Sequence, residues 1–157
     1  MTISVRRATE ADAESISALN TDVQALHAAA MPSRFKPPEP GSFSAREVSA
    51  LLAERENLLF LAHVDGEAAG YAYAEIIRRP ETSLTYSSEM LHVHHIGVGS
   101  SFRRQGVGSA LLNAVRAAGL DKGITLLTLD VWSFNEAARA FFRRQGFDPY
   151  VERLWRS

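Results

Sequence analysis

Leu91-His92-Val93-His94-His95-Ile96-Gly97-Val98 reads as a strand, and Arg103-Arg104-Gln105-Gly106-Val107-Gly108 follows it at the head of a helix. Leu111, Val115 and Ala118 mark that helix by their spacing, and Gly119 is its C-terminal stop. A strand, a glycine-bearing loop and a helix N-terminus in succession gather several unpaired backbone N–H groups at one point in space. Such groups suit an anion.

The chain on either side supplies a surface for this unit to pack on. Ile3 to Arg7 reads as a short strand, and Thr9 with Asp12 forms a capping box opening a helix whose stripe is Ile16, Leu19, Val23 and Leu26. The proline-rich segment Pro32 to Pro40 is a loop, and Ser44 with Glu47 opens a second helix running towards Arg55. Leu58 to Val64 and Ala68 to Ile77 are strands joined at Asp65-Gly66, a type I′ hairpin signal. Period 2 puts Tyr71, Tyr73 and Glu75 on one face of the second strand and Ala72, Ala74 and Ile76 on the other. Beyond the central helix, Ile124 to Val131 reads as a buried strand and Glu136 to Gln145 as a helix stopped by Gly146, leaving room for one last strand before Ser157. The order predicts a mixed α/β (α+β) sandwich, one sheet with helices on its faces. Neither a repeat nor a linker divides residues 1–157, so a single domain is expected.

Composition narrows the function. With 157 residues, 46% hydrophobic and 22% charged, the chain can bury a real core. Seventeen Lys+Arg against 18 Asp+Glu give a net charge of -1, which argues against nucleic-acid binding by bulk charge. The absence of cysteine excludes disulfides, thiolate metal sites and a thiol nucleophile, so acyl transfer here avoids an enzyme thioester. Charge precedes any apolar stretch at the N-terminus, and the longest apolar run, Leu58 to Ala62, falls far short of the roughly 20 residues of a membrane span. A cytoplasmic protein without membrane contact is expected.

In the loop, Gly106 and Gly108 let backbone N–H groups approach a ligand, and Arg103 and Arg104 can add charge-assisted bonds to a phosphate. The plainer alternative is a glycine-rich connector with solvated arginines. Neither the Walker nor the dinucleotide pattern is matched. The loop does resemble the [RQ]-x-x-G-x-[GA] signature of the GNAT superfamily of N-acetyltransferases, through Arg103, Gly106 and Gly108. Asn135, Ala138, Phe141, Phe142, Gly146 and Phe147 are similar to that family's N-x-x-A-x-x-F-[YF]-x-x-x-G-F helix. The resemblance implies a central mixed, mostly antiparallel sheet with helices on both faces, splayed between strands 4 and 5. It also implies acetyl-CoA as co-substrate, its pyrophosphate on the backbone of Gln105, Gly106, Val107, Gly108 and Ser109 beside Arg103 and Arg104. Its pantetheine arm would run along Ile96 and Val98, with Asn135 and Phe142 near the sulfur. No metal is expected. Many members carry at Phe142 a tyrosine that protonates the leaving sulfur; phenylalanine has no proton to give, and Tyr150, Tyr86 or Ser133 are candidate substitutes.

Transfer to an amine requires a base, because a lysine-like amine of pKa near 10.4 is mostly protonated at neutral pH. Strand period 2 places His92, His94, Ile96 and Val98 on one face, and histidine titrates in the right range. In the family's histone-modifying branch a basic glutamate stands at the place of His92, which makes His92 the first choice and His94 the second. Glu75, with Tyr71 and Tyr73, offers an alternative base or acceptor wall. Hydrogen-bonded core histidines are a blander reading, and His-x-His is also a metal-ligand spacing. The expected activity is acetyl transfer to a primary amine by direct attack in a ternary complex, the alternative being an acyl-CoA-binding sensor or interaction module. The acceptor is a small-molecule amine or a protein amine, with its pocket shaped by Met31 to Ser44 and Arg78 to Glu89; a homodimer is left open.

Overall fold

The computed structural model describes residues 1–157. Strands β1 (Ile3–Arg7), β2 (Asn57–Val64), β3 (Glu67–Arg79), β4 (Ser88–Val98) and β5 (Leu127–Leu129) form one sheet in sequence order. The first three pairings are antiparallel and β4–β5 is parallel. Four helices, α1 (Ala13–Ala30), α2 (Ala45–Ala53), α3 (Val107–Asp121) and α4 (Glu136–Arg144), surround it.

Local chemistry accounts for most boundaries. Asp65 and Gly66 adopt φ of 49° and 84°, the left-handed pair that a type I′ turn requires. Ser44 and Glu47 close a reciprocal capping box, Glu47 accepting from the Ser44 N–H at 2.6 Å and Ser44 from the Glu47 N–H at 3.2 Å. Asp12 accepts from the Thr9 N–H at 2.8 Å and from both Arg6 terminal nitrogens at 2.7 and 2.8 Å, fastening β1 to the start of α1. The Arg6 guanidinium holds the Asp12 carboxyl down to about 2.

The alternation of β3 separates two cores. Ala72, Ala74 and Ile76 join Phe60, Leu91, Val93 and the α3 residues Val107, Leu111 and Val115 in the larger one, which Phe142 of α4 completes. Tyr71 joins Leu59, Leu61, Ile16 of α1 and Val48 of α2 on the opposite face. Helices therefore cover both faces, as expected.

Four expectations are corrected. The register of β4 against β3 shifts so that Tyr73 faces His95 and Ala74 faces Val93, leaving His94 as an inserted residue. The insertion breaks the period: His92 lies opposite Glu75 on the α1–α2 side, while Ile96 and Val98 pack on the α3 side. Second, β5 holds only Leu127 to Leu129 instead of a buried Ile124 to Val131, and its pairing stops at Val93, just before the insertion. The sheet is thus splayed beyond that point. Third, residues 148–157 form no final strand: no backbone N–H beyond Phe147 bonds a carbonyl of the chain. Fourth, Leu26 of the α1 stripe is exposed, since the end of α1 overhangs a cleft instead of the sheet.

Candidate active site

The splay opens a cavity of about 640 Å³ between β4 and β5, walled also by α1, α4 and the loop joining α1 to α2. One end of it is built by the start of α3. Arg104 and Gly106 adopt φ of 61° and 89°, and Gly106 is the N-cap of α3 with no side chain capping the helix. The backbone N–H groups from Arg103 through Ser109 donate to nothing within the protein; the first bond of the helix runs from Ala110 to Gly106. No acidic side chain occupies the first turn, and neither Arg103 nor Arg104 is ion-paired. A curved run of free donors, a helix N-terminus and two unpaired guanidinium groups fit the pyrophosphate of a coenzyme A thioester.

Gly108, whose N–H is among those free donors, also has a packing part. A Cβ there would lie 3.0 Å from the Phe141 ring, so the missing side chain lets α4 pack on α3. Val107 is buried in the larger core, while Gln105 turns its side chain to the Ser101 carbonyl. Ser109 accepts a bond from Gln145 at 2.9 Å, tying α3 to the end of α4. Asn135 caps α4 by accepting from the Ala138 N–H at 3.1 Å, and it also lines the cavity, as do Arg103, Ile96, Val98 and Phe142. Phe142 is buried against Phe147, ring centres 5.7 Å apart. None of the hydroxyl candidates lines this cavity: Tyr150 and Tyr86 are 76% and 88% exposed, and Ser133 lies outside it.

At the other end stands a cluster of histidines. His94 lines the cavity and donates from Nε2 to Glu75 at 2.8 Å, its ring stacked on Tyr73. A neutral His94 held this way keeps its lone pair on Nδ1. His92 sits behind it, ring centres 4.8 Å apart, and its Nδ1 meets the Thr128 hydroxyl at 2.8 Å. Burial, assisted by His94, pushes the His92 pKa below its ordinary value despite Asp130 and Glu75. Among His, Cys, Asp and Glu side chains, no group of three or more gathers to hold a metal.

His95 is the residue the sequence missed, because an unbroken period points it to the wrong face. It lines the cavity and ends a chain of hydrogen bonds: Asn20 Nδ2 donates to the Tyr71 hydroxyl at 2.8 Å, and that hydroxyl reaches His95 Nδ1 at 3.2 Å. With its oxygen already accepting from Asn20, Tyr71 gives its one proton to His95, so the neutral imidazole carries hydrogen on Nε2. Burial pushes the His95 pKa down to about 4 and the Tyr71 pKa up to about 12, so both stay neutral at pH 7. His95 thereby presents an N–H in the cavity wall.

One wall of the cavity is aromatic. Phe35 meets His27 and Trp132 edge-on at 5.1 and 5.2 Å, and the Arg34 guanidinium lies 5.3 Å from the Trp132 ring centre. Of Met31 to Ser44, Phe35 and Phe43 line the cavity, whereas no residue of Arg78 to Glu89 does.

The sheet is mixed and splayed, with a helix N-terminus rich in free N–H groups on one side of the splay and histidines on the adjoining strand. The profile of the acetyltransferase (GNAT) family matches residues 9–147, and the chain belongs to that family. It is 32% identical to the aminoglycoside N(6′)-acetyltransferase type 1 of Klebsiella aerogenes, over 69% of this chain and 70% of that one. The first curated relatives are longer: the matched stretch spans 59, 40 and 42% of their lengths. Among solved structures, a tetramutant of the BH1408 protein of Bacillus halodurans superposes with a TM-score of 0.92 at 20% identity, covering 98% of this chain and 99% of that one. The aminoglycoside N-acetyltransferase AAC(6′)-Iy, solved with CoA, gives 0.76 at 22% identity over 99% and 94%.

Proposed function

We propose that the protein is an acetyl-CoA-dependent N-acetyltransferase that acetylates a primary amine of a small molecule by direct attack in a ternary complex. The observation that carries this reading is one cavity with free N–H groups and Arg103 at one end and the His94–Glu75 pair at the other. Acetyl-CoA supplies an activated acyl carbon and a thiolate leaving group.

The start of α3 and Arg103 anchor the coenzyme's phosphates, and Ile96, Val98 and Asn135 border the path of its arm. His94 Nδ1 takes the proton of the ammonium acceptor, while Glu75 holds the ring and stabilises the imidazolium. The freed amine attacks the acyl carbon, the C–N bond forms, the C–S bond breaks, and the second proton of the attacking nitrogen passes to the departing thiolate, giving the amide and free CoA. Phe142 offers the sulfur no proton, so the thiol, of ordinary pKa near 8.5, leaves as thiolate. His92, its ring 4.8 Å from that of His94 and its Nδ1 on the Thr128 hydroxyl, backs the His94 ring. The aromatic wall of Phe35 and Trp132 favours an amine on an apolar body over a polycation. Without cysteine, no enzyme thioester intervenes.

Phe142 supports one second reading, an acyl-CoA sensor that retains the cradle without turnover. Release of free CoA against a panel of arylalkylamines, polyamines, amino acids and aminoglycosides separates the two. Turnover with intersecting double-reciprocal lines is expected; parallel lines or a trapped acetyl-protein refute direct attack. Thermal stabilisation by acetyl-CoA without turnover of any amine replaces the enzyme with the sensor.

A further inference from the structure

His95 of β4, which the proton transfer above leaves unused, is held by polar side chains from two other elements. Asn20 of α1 and Tyr71 of β3 are 8% and 0% exposed, and Asn20 acts on the imidazole through the Tyr71 hydroxyl. Gly97 makes room for this arrangement, since a Cβ there would stand 2.9 Å from the Tyr71 ring. Phe43 and Tyr73 pack against the imidazole, ring centres 5.0 and 5.5 Å away.

A buried network with a purely structural task ends on a partner, because a buried donor left unpaired is costly. This one does not. Nε2 of the half-buried His95 has no partner in the protein, yet no buried side-chain nitrogen or oxygen is orphaned, so Nε2 opens onto the cavity that His95 lines. An ammonium offers only donors and cannot meet this N–H; an oxygen can. The preceding residue supplies the opposite polarity: His94, bonded to Glu75 through Nε2, keeps its lone pair on Nδ1, and both rings rest on Tyr73. His95 also stands with Phe43 on the α1–α2 side of the sheet, whereas Ile96 and Val98, the border of the coenzyme's arm, pack on the α3 side. Its N–H therefore belongs to the amine's half of the cavity.

Resting on the N-acetyltransferase reading, we propose that His95 is a specificity-determining residue. Its Nε2–H donates to an oxygen that the acceptor carries on the carbon next to the one bearing the amine, while the amine itself meets His94 Nδ1. Amino-acid amides and amino alcohols have this pattern, and the Phe35 and Trp132 wall selects those with an apolar side chain.

Phenylalaninamide, phenylalaninol and phenethylamine share one apolar body and differ in that oxygen. CoA release from saturating acetyl-CoA is followed with each amine for wild type, His95→Leu and His95→Gln. The amines differ in basicity, but equally so for every variant, so the part played by His95 is read from the change in their kcat/KM ratios. The ratio of at least one oxygen-bearing amine to phenethylamine should fall roughly tenfold in His95→Leu, through KM, and recover in His95→Gln, which keeps an N–H donor. Unchanged ratios overturn the proposal, and so does an equal loss for all three amines, which would put the N–H on the thioester oxygen. If these three are inert while other amines of the wider panel are acetylated, this proposal alone falls; if no amine is acetylated, the N-acetyltransferase reading falls with it. Should His95→Leu fail to fold, wild type labelled with 15N-histidine decides. The His95 Nε2–H resonance, assigned through His95→Gln, should shift when phenylalaninamide or phenylalaninol joins the CoA complex and stay in place with phenethylamine; the same response to all three overturns the proposal.

Discussion

His94 and Glu75 stand together because one inserted residue in β4 lifts His94 out of register while Glu75 keeps its place in β3. If His94 is the base, His94→Ala lowers kcat/KM by roughly 10²- to 10⁴-fold with acetyl-CoA affinity nearly unchanged. Glu75→Gln should cause a smaller loss, and rates followed from acid to alkaline pH should lose their acidic limb in the alanine variant. On the same face of the sheet, Tyr71 bridges Asn20 and His95. Tyr71→Phe strands both partners and should cost about 1 to 3 kcal/mol in urea unfolding. His95 itself makes the fold acid-sensitive. Its folded pKa of about 4 lies below the unfolded 6.5, so the unfolded chain binds the proton first. The stabilisation is complete above pH 6.5 and is lost as pH falls towards 4, on the order of 3 kcal/mol. His95→Gln should flatten that slope in unfolding measured at successive pH values.

At the scale of elements, Gly106 sets the start of α3. Its φ of 89° suits glycine, and a Cβ there would make only ordinary contact with Ile3. Gly106→Ala should therefore cost about 1 kcal/mol through backbone strain alone. Acetyl-CoA titrated by calorimetry should bind it several-fold more weakly, while Gly108→Ala should instead disturb α4 through Phe141. This loop was legible because it advertises itself in residue types: glycines, arginines and a helix start. The hairpin at Asp65-Gly66 and the cap at Ser44 were legible for the same reason, each being set by chemistry within four residues. The insertion at His94 was not. It depends on how β4 meets β3, and one slipped residue reversed the assignment of His95 and separated His92 from Val98. The brevity of β5 escaped likewise, since its Leu and Thr content cannot report that its neighbour diverges.

Across the whole molecule the antiparallel pairs β1 to β4 form a broad, well-packed block, and the β5–α4 wall is attached along one short ladder. Acetyl-CoA spanning the cleft should slow hydrogen exchange most in residues 127–145 and least in β2. At 100 times its dissociation constant it should add about 2.7 kcal/mol of stability. Equal protection everywhere would place the coenzyme elsewhere. The position of α3 has a further result for how the protein is made. This helix roofs the apolar face of β1 to β4, yet it lies at residues 107–121, after all four strands. On the ribosome, Phe60, Ala72, Ala74 and Leu91 emerge with nothing to cover them until Leu111 and Val115 are translated. A nascent chain stalled before that point presents a bare sheet face to holdase chaperones, whereas one stalled just beyond α3 can close its larger core.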